Sequence, residues 1–212
     1  ANAMAALTTG GQNTAVGKSC MAGATTGGNN VAMGTDTMSN VVTGSDNTAI
    51  GWQAMVLNTS GANNAALGRS ALRAVTSGAS NVAIGMNAAN AITTANHNVV
   101  VGYTAGSNNG PLTTGGQNVL IGAFADTGAV DGNNQIVMGY DCNGAGDNYF
   151  TFGKGHNSAN RVYNQFTANA TWARTSDERI KKDISTNTDC GLAFINDLRT
   201  VTYKFKAPSE YD

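Results

Sequence analysis

The chain has 212 residues, a formal net charge of -1 and 12% charged side chains, about half the share of an average globular protein. Such weak charge is not typical of nucleic-acid binding, and no apolar run approaches the ~20 residues of a membrane-spanning helix. Gly and Asn each occur 27 times and Pro only 2 times, which favours turns and short strands over a Pro-rich disordered chain.

Residues 1–149 repeat a five-residue phrase: Asn, a small residue, a small apolar residue, a larger apolar residue and Gly. Self-similarity at a fixed period indicates stacked structural units. Gly interrupts every candidate helix, and two turn signals fall in each period, so we predict an all-β solenoid (β-roll) whose 17-residue rungs each contain two short strands. The copies begin, in steps of 17 residues with one step of 20, at Asn13, Asn30, Asn47, Asn64, Asn81, Asn98, Asn118 and Gln135.

Three columns of the repeat predict particular roles. We expect Asn13 and its equivalents to form side-chain ladders along the stack or to occupy left-handed corners. Gly17 and its equivalents allow a positive φ at the next corner. Cys20 and Cys142 lie three residues after such a Gly, where most repeats have Ala, so both are predicted to be small buried side chains rather than a disulfide.

Two apolar columns run side by side after the Asn, one starting at Ala15 and the other at Val16. Neighbouring strand residues point to opposite faces, so one column should fill the thin interior and the other should face outward. The outward column needs a partner that a single-chain solenoid does not offer. We therefore predict lateral association of the chains, most simply as a parallel homotrimer.

A column of hydroxyl residues precedes the second Gly turn of each rung. These hydroxyls are predicted to satisfy the backbone of the turn, and the alternative is an exposed ice- or glycan-binding surface. The column consists of Thr9, Thr26, Thr43, Ser60, Ser77, Thr94 and Thr114.

No enzymatic, cofactor or metal site is predicted in the repeat region. Its acidic residues are all Asp and follow no recurring column, so a catalytic carboxylate pair is not expected. His97 and His156 have no partner at metal-ligand spacing and are predicted to lie in surface loops. The three extra residues around 107–112 predict a lengthened loop, which is a sensible place for recognition.

The phrase Asn-x-Ala-Val/Ile-Gly, followed by a further Ala as at Ala54 and Ala71, resembles the head repeat of trimeric autotransporter adhesins of the YadA type. It is also similar to repeats in the shafts of bacteriophage tail fibres. Both resemblances imply a trimeric left-handed β-roll.

Residues 150–175 are predicted to be a β-rich neck. Charge changes here, from 9 charged side chains in residues 1–149 to 16 in residues 150–212. Aromatic residues, scarce before, alternate with polar ones in residues 149–152 and 161–163, which suggests short strands. Such strands would close the solenoid and protect its last edge.

Residues 176–212 open with Ser-Asp-x-Arg-x-Lys-x-x-Ile, from Ser176 to Ile184. An amphipathic stripe over residues 192–198 and alternation over residues 201–205 predict a small α+β segment. On the residues alone, the opening motif also fits a charged N-terminal cap. The whole stretch resembles the start of the intramolecular chaperone domain of phage tail spikes and fibres, the peptidase S74 (endosialidase-type) family.

That resemblance implies a domain that trimerises, drives folding of the upstream β-structure and cuts the chain between Thr175 and Ser176. It implies Ser176 as the nucleophile and Lys181 as its base. The chemistry is sensible because a Ser hydroxyl needs a nearby base, and burial can keep a Lys neutral. The cleavage would be a single-turnover event at most.

These observations predict a virion tail fibre or spike subunit, extracellular and structural, that attaches to a host cell. The expected partners are two further copies of the chain, other virion tail proteins and a host surface receptor, for which a glycan is one option. Nucleic acid and membrane insertion are not expected. The alternatives are the head domain of a bacterial trimeric adhesin and an ice- or glycan-binding solenoid.

Overall fold

The computed structural model describes residues 2–40, 43–108, 111–155, 160–166 and 173–174. These residues are nearly all β, and eleven strands form one sheet in sequence order. The strands are β1 Thr14–Val16, β2 Val31–Met33, β3 Thr48–Ile50, β4 Ala65–Leu67, β5 Val82–Ile84, β6 Val99–Val101, β7 Val119–Ile121, β8 Ile136–Met138, β9 Tyr149–Gly153, β10 Arg161–Gln165 and β11 Ala173–Arg174.

Strands β1 to β8 are the rungs of a β-solenoid. Each pairs in parallel with the strand one repeat later, so that Ala15 lies beside Ala32. Backbone hydrogen bonds connect the rungs, as where the Val31 N–H donates to the Asn47 carbonyl at 2.8 Å. The predicted solenoid of 17-residue rungs is therefore confirmed.

The prediction of two strands per rung is wrong, because each rung contains one three-residue strand and the rest is tight turn. Turn residues still donate to neighbouring rungs, as where the Met21 N–H donates to the Thr37 carbonyl at 3.0 Å. Several of these residues are left-handed without being Gly, with φ of 50° at Met21 and 54° at Asp36. Such residues cost about 1–2 kcal/mol each, which the hydrogen bonds between rungs and burial offset.

The interior is thin because small side chains fill it. Cys20 and Cys142 are fully buried, as predicted, and form no disulfide within the described ranges. Burial raises the pKa of both thiols. Larger buried residues fill the space beside this column. The main ones are Met21, Met38, Met55, Leu72, Val75, Ile92, Leu112 and Leu120.

The sheet continues through the predicted neck. Strand β9 pairs in parallel with β8, with Met138 beside Phe152. Strand β10 covers the free edge of β9 in antiparallel pairing, and β11 pairs with β10 in the same way. The predicted short strands are thus present and protect the edge of the solenoid.

The lengthened loop is anchored at both ends. Leu112 is fully buried, and its N–H donates to the Gly106 carbonyl at 3.1 Å. On the other side, the Asn108 N–H donates to the Asp126 carboxylate at 2.8 Å. The described part of the chain contains no helix that is long and apolar enough to cross a membrane.

Candidate functional site

The first and third residues of the solenoid strands point away from the interior. In β4, Leu67 is 48% exposed whereas Ala66 is 2% exposed, and in β5 the values are 40% for Ile84 and 0% for Ala83. The prediction of one inward and one outward apolar column is therefore confirmed. The third strand positions and their equivalent in β9 are Val16, Met33, Ile50, Leu67, Ile84, Val101, Ile121, Met138 and Phe152.

The outward apolar face is continuous, and we define it as the first and third strand positions of β1 to β8 together with Phe150 and Phe152, which lie beside those positions in β9. First positions add further exposed apolar residues, such as Val31 at 38% and Val99 at 36%. Nine strands at ~4.8 Å make this face about 40 Å long. Monomeric proteins rarely expose a contiguous apolar surface of this kind without an interaction partner.

A ladder of Asn side chains fixes the start of each strand. The Asn81 Nδ2 donates to Asn64 Oδ1 at 3.1 Å and to the Ala95 carbonyl at 2.8 Å. The Asn98 backbone N–H and Nδ2 both donate to Asn81 Oδ1, at 3.1 and 3.0 Å. The predicted ladder is confirmed, and it holds neighbouring strands in one register.

The ladder ends at Gln135. Its backbone N–H donates to Asn118 Oδ1 at 3.0 Å, but its buried Oε1 has no hydrogen-bond partner in the part of the chain that the structure describes. The alternative that the Asn column is left-handed is wrong, since the left-handed residue comes one position earlier. Ser80 and His97, with φ of 58° and 60°, are examples.

A Gly column fixes the end of each strand. Gly85 has φ of 129°, and a Cβ placed on it would lie 2.5 Å from the Gly102 carbonyl oxygen. Only Gly fits a corner that combines this backbone conformation with such close contact between rungs. The predicted positive φ is confirmed throughout this column, which comprises Gly17, Gly34, Gly51, Gly68, Gly85, Gly102, Gly122 and Gly139.

The hydroxyl column is exposed, and most of the bonds to the turn backbone come from a different column. The donors are Thr residues one position earlier in the repeat, namely Thr8, Thr59, Thr76 and Thr93. Thr59 Oγ1 donates to the Thr76 carbonyl at 3.1 Å, and Thr76 Oγ1 donates to the Thr93 carbonyl at 3.2 Å. The backbone-satisfying position therefore lies one residue before the predicted one.

Two carboxylates of the solenoid, those of Asp126 and Asp131, hold loops. Asp126 is fully buried and accepts the N–H groups of Asn108 and Thr127. The hydroxyls of Thr113 and then Thr114 hold the pKa of Asp131 below its ordinary value. Within the described ranges, no group of three or more His, Cys, Asp and Glu residues could hold a metal ion.

Of the two His residues, only His97 lies within the described residues. His97 lies exposed at a left-handed corner, in agreement with the predicted surface position. His156 lies outside the described residues.

Sequence reasoning missed a row of three aromatic residues near the end of the solenoid, in which Tyr103 and Tyr140 are exposed and Phe124 is half-buried. Tyr103 and Phe124 have ring centroids 5.1 Å apart, and Phe124 and Tyr140 have centroids 5.9 Å apart, both edge to face. We call these three residues the aromatic strip. The available signal was their place in the repeat, one or two residues after the Gly of the strand.

The predicted cleavage residues, Thr175, Ser176 and Lys181, lie outside the described residues. The compact unit of the solenoid and neck ends at Thr175, and a second unit begins at Ser176. Residues 176–212 match the peptidase S74 family, the chaperone of endosialidase. Neither a curated protein nor a solved structure matches the chain.

Proposed function

We propose that the chain is a subunit of a virion fibre or spike in which three copies associate in parallel. The outward apolar face of a solenoid that precedes an S74-type chaperone segment carries this proposal. A solenoid suits a fibre because each rung adds ~4.8 Å of length. Its role is structural, to display a surface that attaches the virion to a host cell.

A parallel arrangement about a three-fold axis would bury the outward apolar faces against one another. Each rung rises by the same amount, so side chains of three copies can meet level by level. Full burial of one Leu or Ile contributes about 1.5–3 kcal/mol, and here a half-exposed residue recurs at nearly every level. The same face would serve an adhesin head, but the match of residues 176–212 favours the fibre.

The C-terminal segment acts in this proposal as an intramolecular chaperone that trimerises and then separates. Lys181 takes the proton of the Ser176 hydroxyl, and Ser176 Oγ attacks the Thr175 carbonyl carbon. The peptide bond is replaced by an ester, the Ser176 nitrogen leaves as an amine that takes up the proton, and water hydrolyses the ester. The event occurs once per chain.

The test is the intact mass of the full-length gene product, compared with its Ser176→Ala and Lys181→Ala variants. We expect a fragment that begins at Ser176 in the parent and in neither variant. An uncut parent that is trimeric by light scattering would support the fibre and contradict self-cleavage. An uncut monomer would overturn the proposed function.

A further inference from the structure

The aromatic strip is unusual because the solenoid has so few aromatic residues. Residues 1–148 contain only four, and the strip accounts for three of them. Tyr103 is 45% exposed and Tyr140 is 56% exposed, so ring surface faces solvent. The fourth, Trp52, lies apart from the strip and packs against the guanidinium of Arg69 at 4.9 Å.

The strip leads into a cavity at the end of the solenoid. This terminal cavity has a volume of about 800 Å³, within the range of small-ligand sites. Tyr140 belongs to both features, and Lys154 follows the Gly of β9 just as Tyr140 follows the Gly of β8. The cavity is lined by Tyr140, Asp141, Gly153, Lys154, Gly155, Asn160, Arg161 and Val162.

Two cationic residues, Lys154 and Arg161, line the cavity. Arg161 Nη1 donates to the carbonyls of Asn143 and Gly144 at 2.6 and 3.2 Å, which holds its guanidinium in place. Its Nε is buried and has no hydrogen-bond partner among the described residues. Lys154 and Arg161 outnumber Asp141, the one acidic residue of the lining, so the lining has a net positive charge.

We propose that the aromatic strip and the terminal cavity together bind an acidic oligosaccharide. The faces of a pyranose ring carry polarised C–H groups, which pack against aromatic ring faces because those faces carry a negative quadrupole. Sugar hydroxyls require hydrogen-bonding side chains, which Asp141 and Asn160 supply. A carboxylate on the sugar would lie near Lys154 and Arg161, where charge-assisted bonds are strongest.

An aliphatic peptide fits this surface less well. In the strip, Phe124 packs edge to face against both Tyr103 and Tyr140, with ring centroids 5.1 and 5.9 Å apart. The cavity beside Tyr140 is lined mainly by polar side chains and Gly. The exposed rings of Tyr103 and Tyr140 can each pack against one unit of a linear chain of ring-shaped units. The inference rests on the proposed function, since attachment requires a receptor, but every residue of the site belongs to a single chain.

The test is calorimetric titration of the chain with an oligogalacturonate hexamer and, as a neutral probe of equal length, maltohexaose. Removal of one platform ring by Tyr140→Ala should raise the Kd for the acidic probe about tenfold, the effect of a central binding residue. Lys154→Gln should raise the Kd for the acidic probe and reduce the difference in affinity between the acidic and the neutral probe. Trp52→Ala, which removes an exposed ring at the same repeat position away from the strip, should leave the Kd unchanged.

Three outcomes would overturn the inference: no binding of either probe, equal affinity for both, or an unchanged Kd in Tyr140→Ala. Light scattering on the same samples separates this failure from failure of the proposed function. A trimer that binds neither probe would contradict only the proposed oligosaccharide site, whereas a monomer would contradict the proposed fibre function. Loss of the trimer in Tyr140→Ala would instead place the strip in the contact between chains.

Discussion

Asn81 illustrates how much a single ladder residue contributes at the scale of one side chain. Replacement by Ala would leave the Ala95 carbonyl and the Asn98 N–H buried without their present partners. Each unsatisfied buried group costs about 1–3 kcal/mol, so Asn81→Ala should lower the free energy of unfolding by about 2–5 kcal/mol. Urea denaturation checks this, with the exposed Thr94→Ala as a control that should change it by less than about 0.5 kcal/mol. A loss below about 1 kcal/mol in Asn81→Ala would show that the ladder is incidental.

Gly85 gives the second prediction at the residue scale. A Cβ there would collide with the Gly102 carbonyl, and the φ of this residue is strained for any residue other than Gly. Gly85→Ala should therefore lower the free energy of unfolding, measured by urea denaturation, by about 3 kcal/mol or more. Gly11 provides the matched control, because a Cβ on Gly11 has nothing within 4 Å. Gly11→Ala should leave stability within about 0.5 kcal/mol of the parent. Equal losses in both variants would contradict the steric account.

The element scale shows what the sequence could predict and what it could not. Eight aligned copies turned single residues into columns, so periodicity and the alternation of strand residues predicted the Gly corners, one inward and one outward apolar column, and a ladder as one of two roles for the Asn column. Which apolar column faces outward, that of Leu67 or that of Ala66, was not predicted. The number of strands per rung did not follow. Met21 and its equivalents adopt left-handed turns that are costly for their residue type, and only the path of the backbone between rungs reveals them.

The same limit explains the hydroxyl column and the aromatic strip. Thr76 and Ser77 are both hydroxyl residues, and the choice of which one bonds the next rung depends on the direction of each side chain in the turn. Tyr103 and Phe124 occupy different repeat positions, one and two residues after the Gly, yet their rings are in contact. Periodicity alone does not bring such residues together.

The outward apolar face yields the prediction at the element scale. Leu67→Glu places a carboxylate in the middle of the proposed contact between chains, where burial of an unpaired charge is costly. We expect the trimer to dissociate, while the circular dichroism spectrum of the solenoid stays unchanged because the side chain points outward. Thr94→Glu, an exposed turn residue, is the control and should remain trimeric. If Leu67→Glu remains trimeric, the contact between chains does not involve the outward apolar face at Leu67.

At the scale of the whole molecule, two features reinforce each other. A solenoid with a continuous apolar face risks association in the wrong register before the rungs are complete, since each strand resembles the next. A segment that trimerises first would align three chains from one end. The match of residues 176–212 to the chaperone of endosialidase fits that need, and the second compact unit begins at the same residue, Ser176.

We expect three chains to associate through the outward apolar face. The most direct measurement is the mass of the purified protein by light scattering coupled to size exclusion, at several concentrations. We expect a single species with three times the mass of the chain, which is 21.6 kDa, and no change on dilution. A stable monomer of 21.6 kDa would contradict it, because the apolar face would then remain exposed to water.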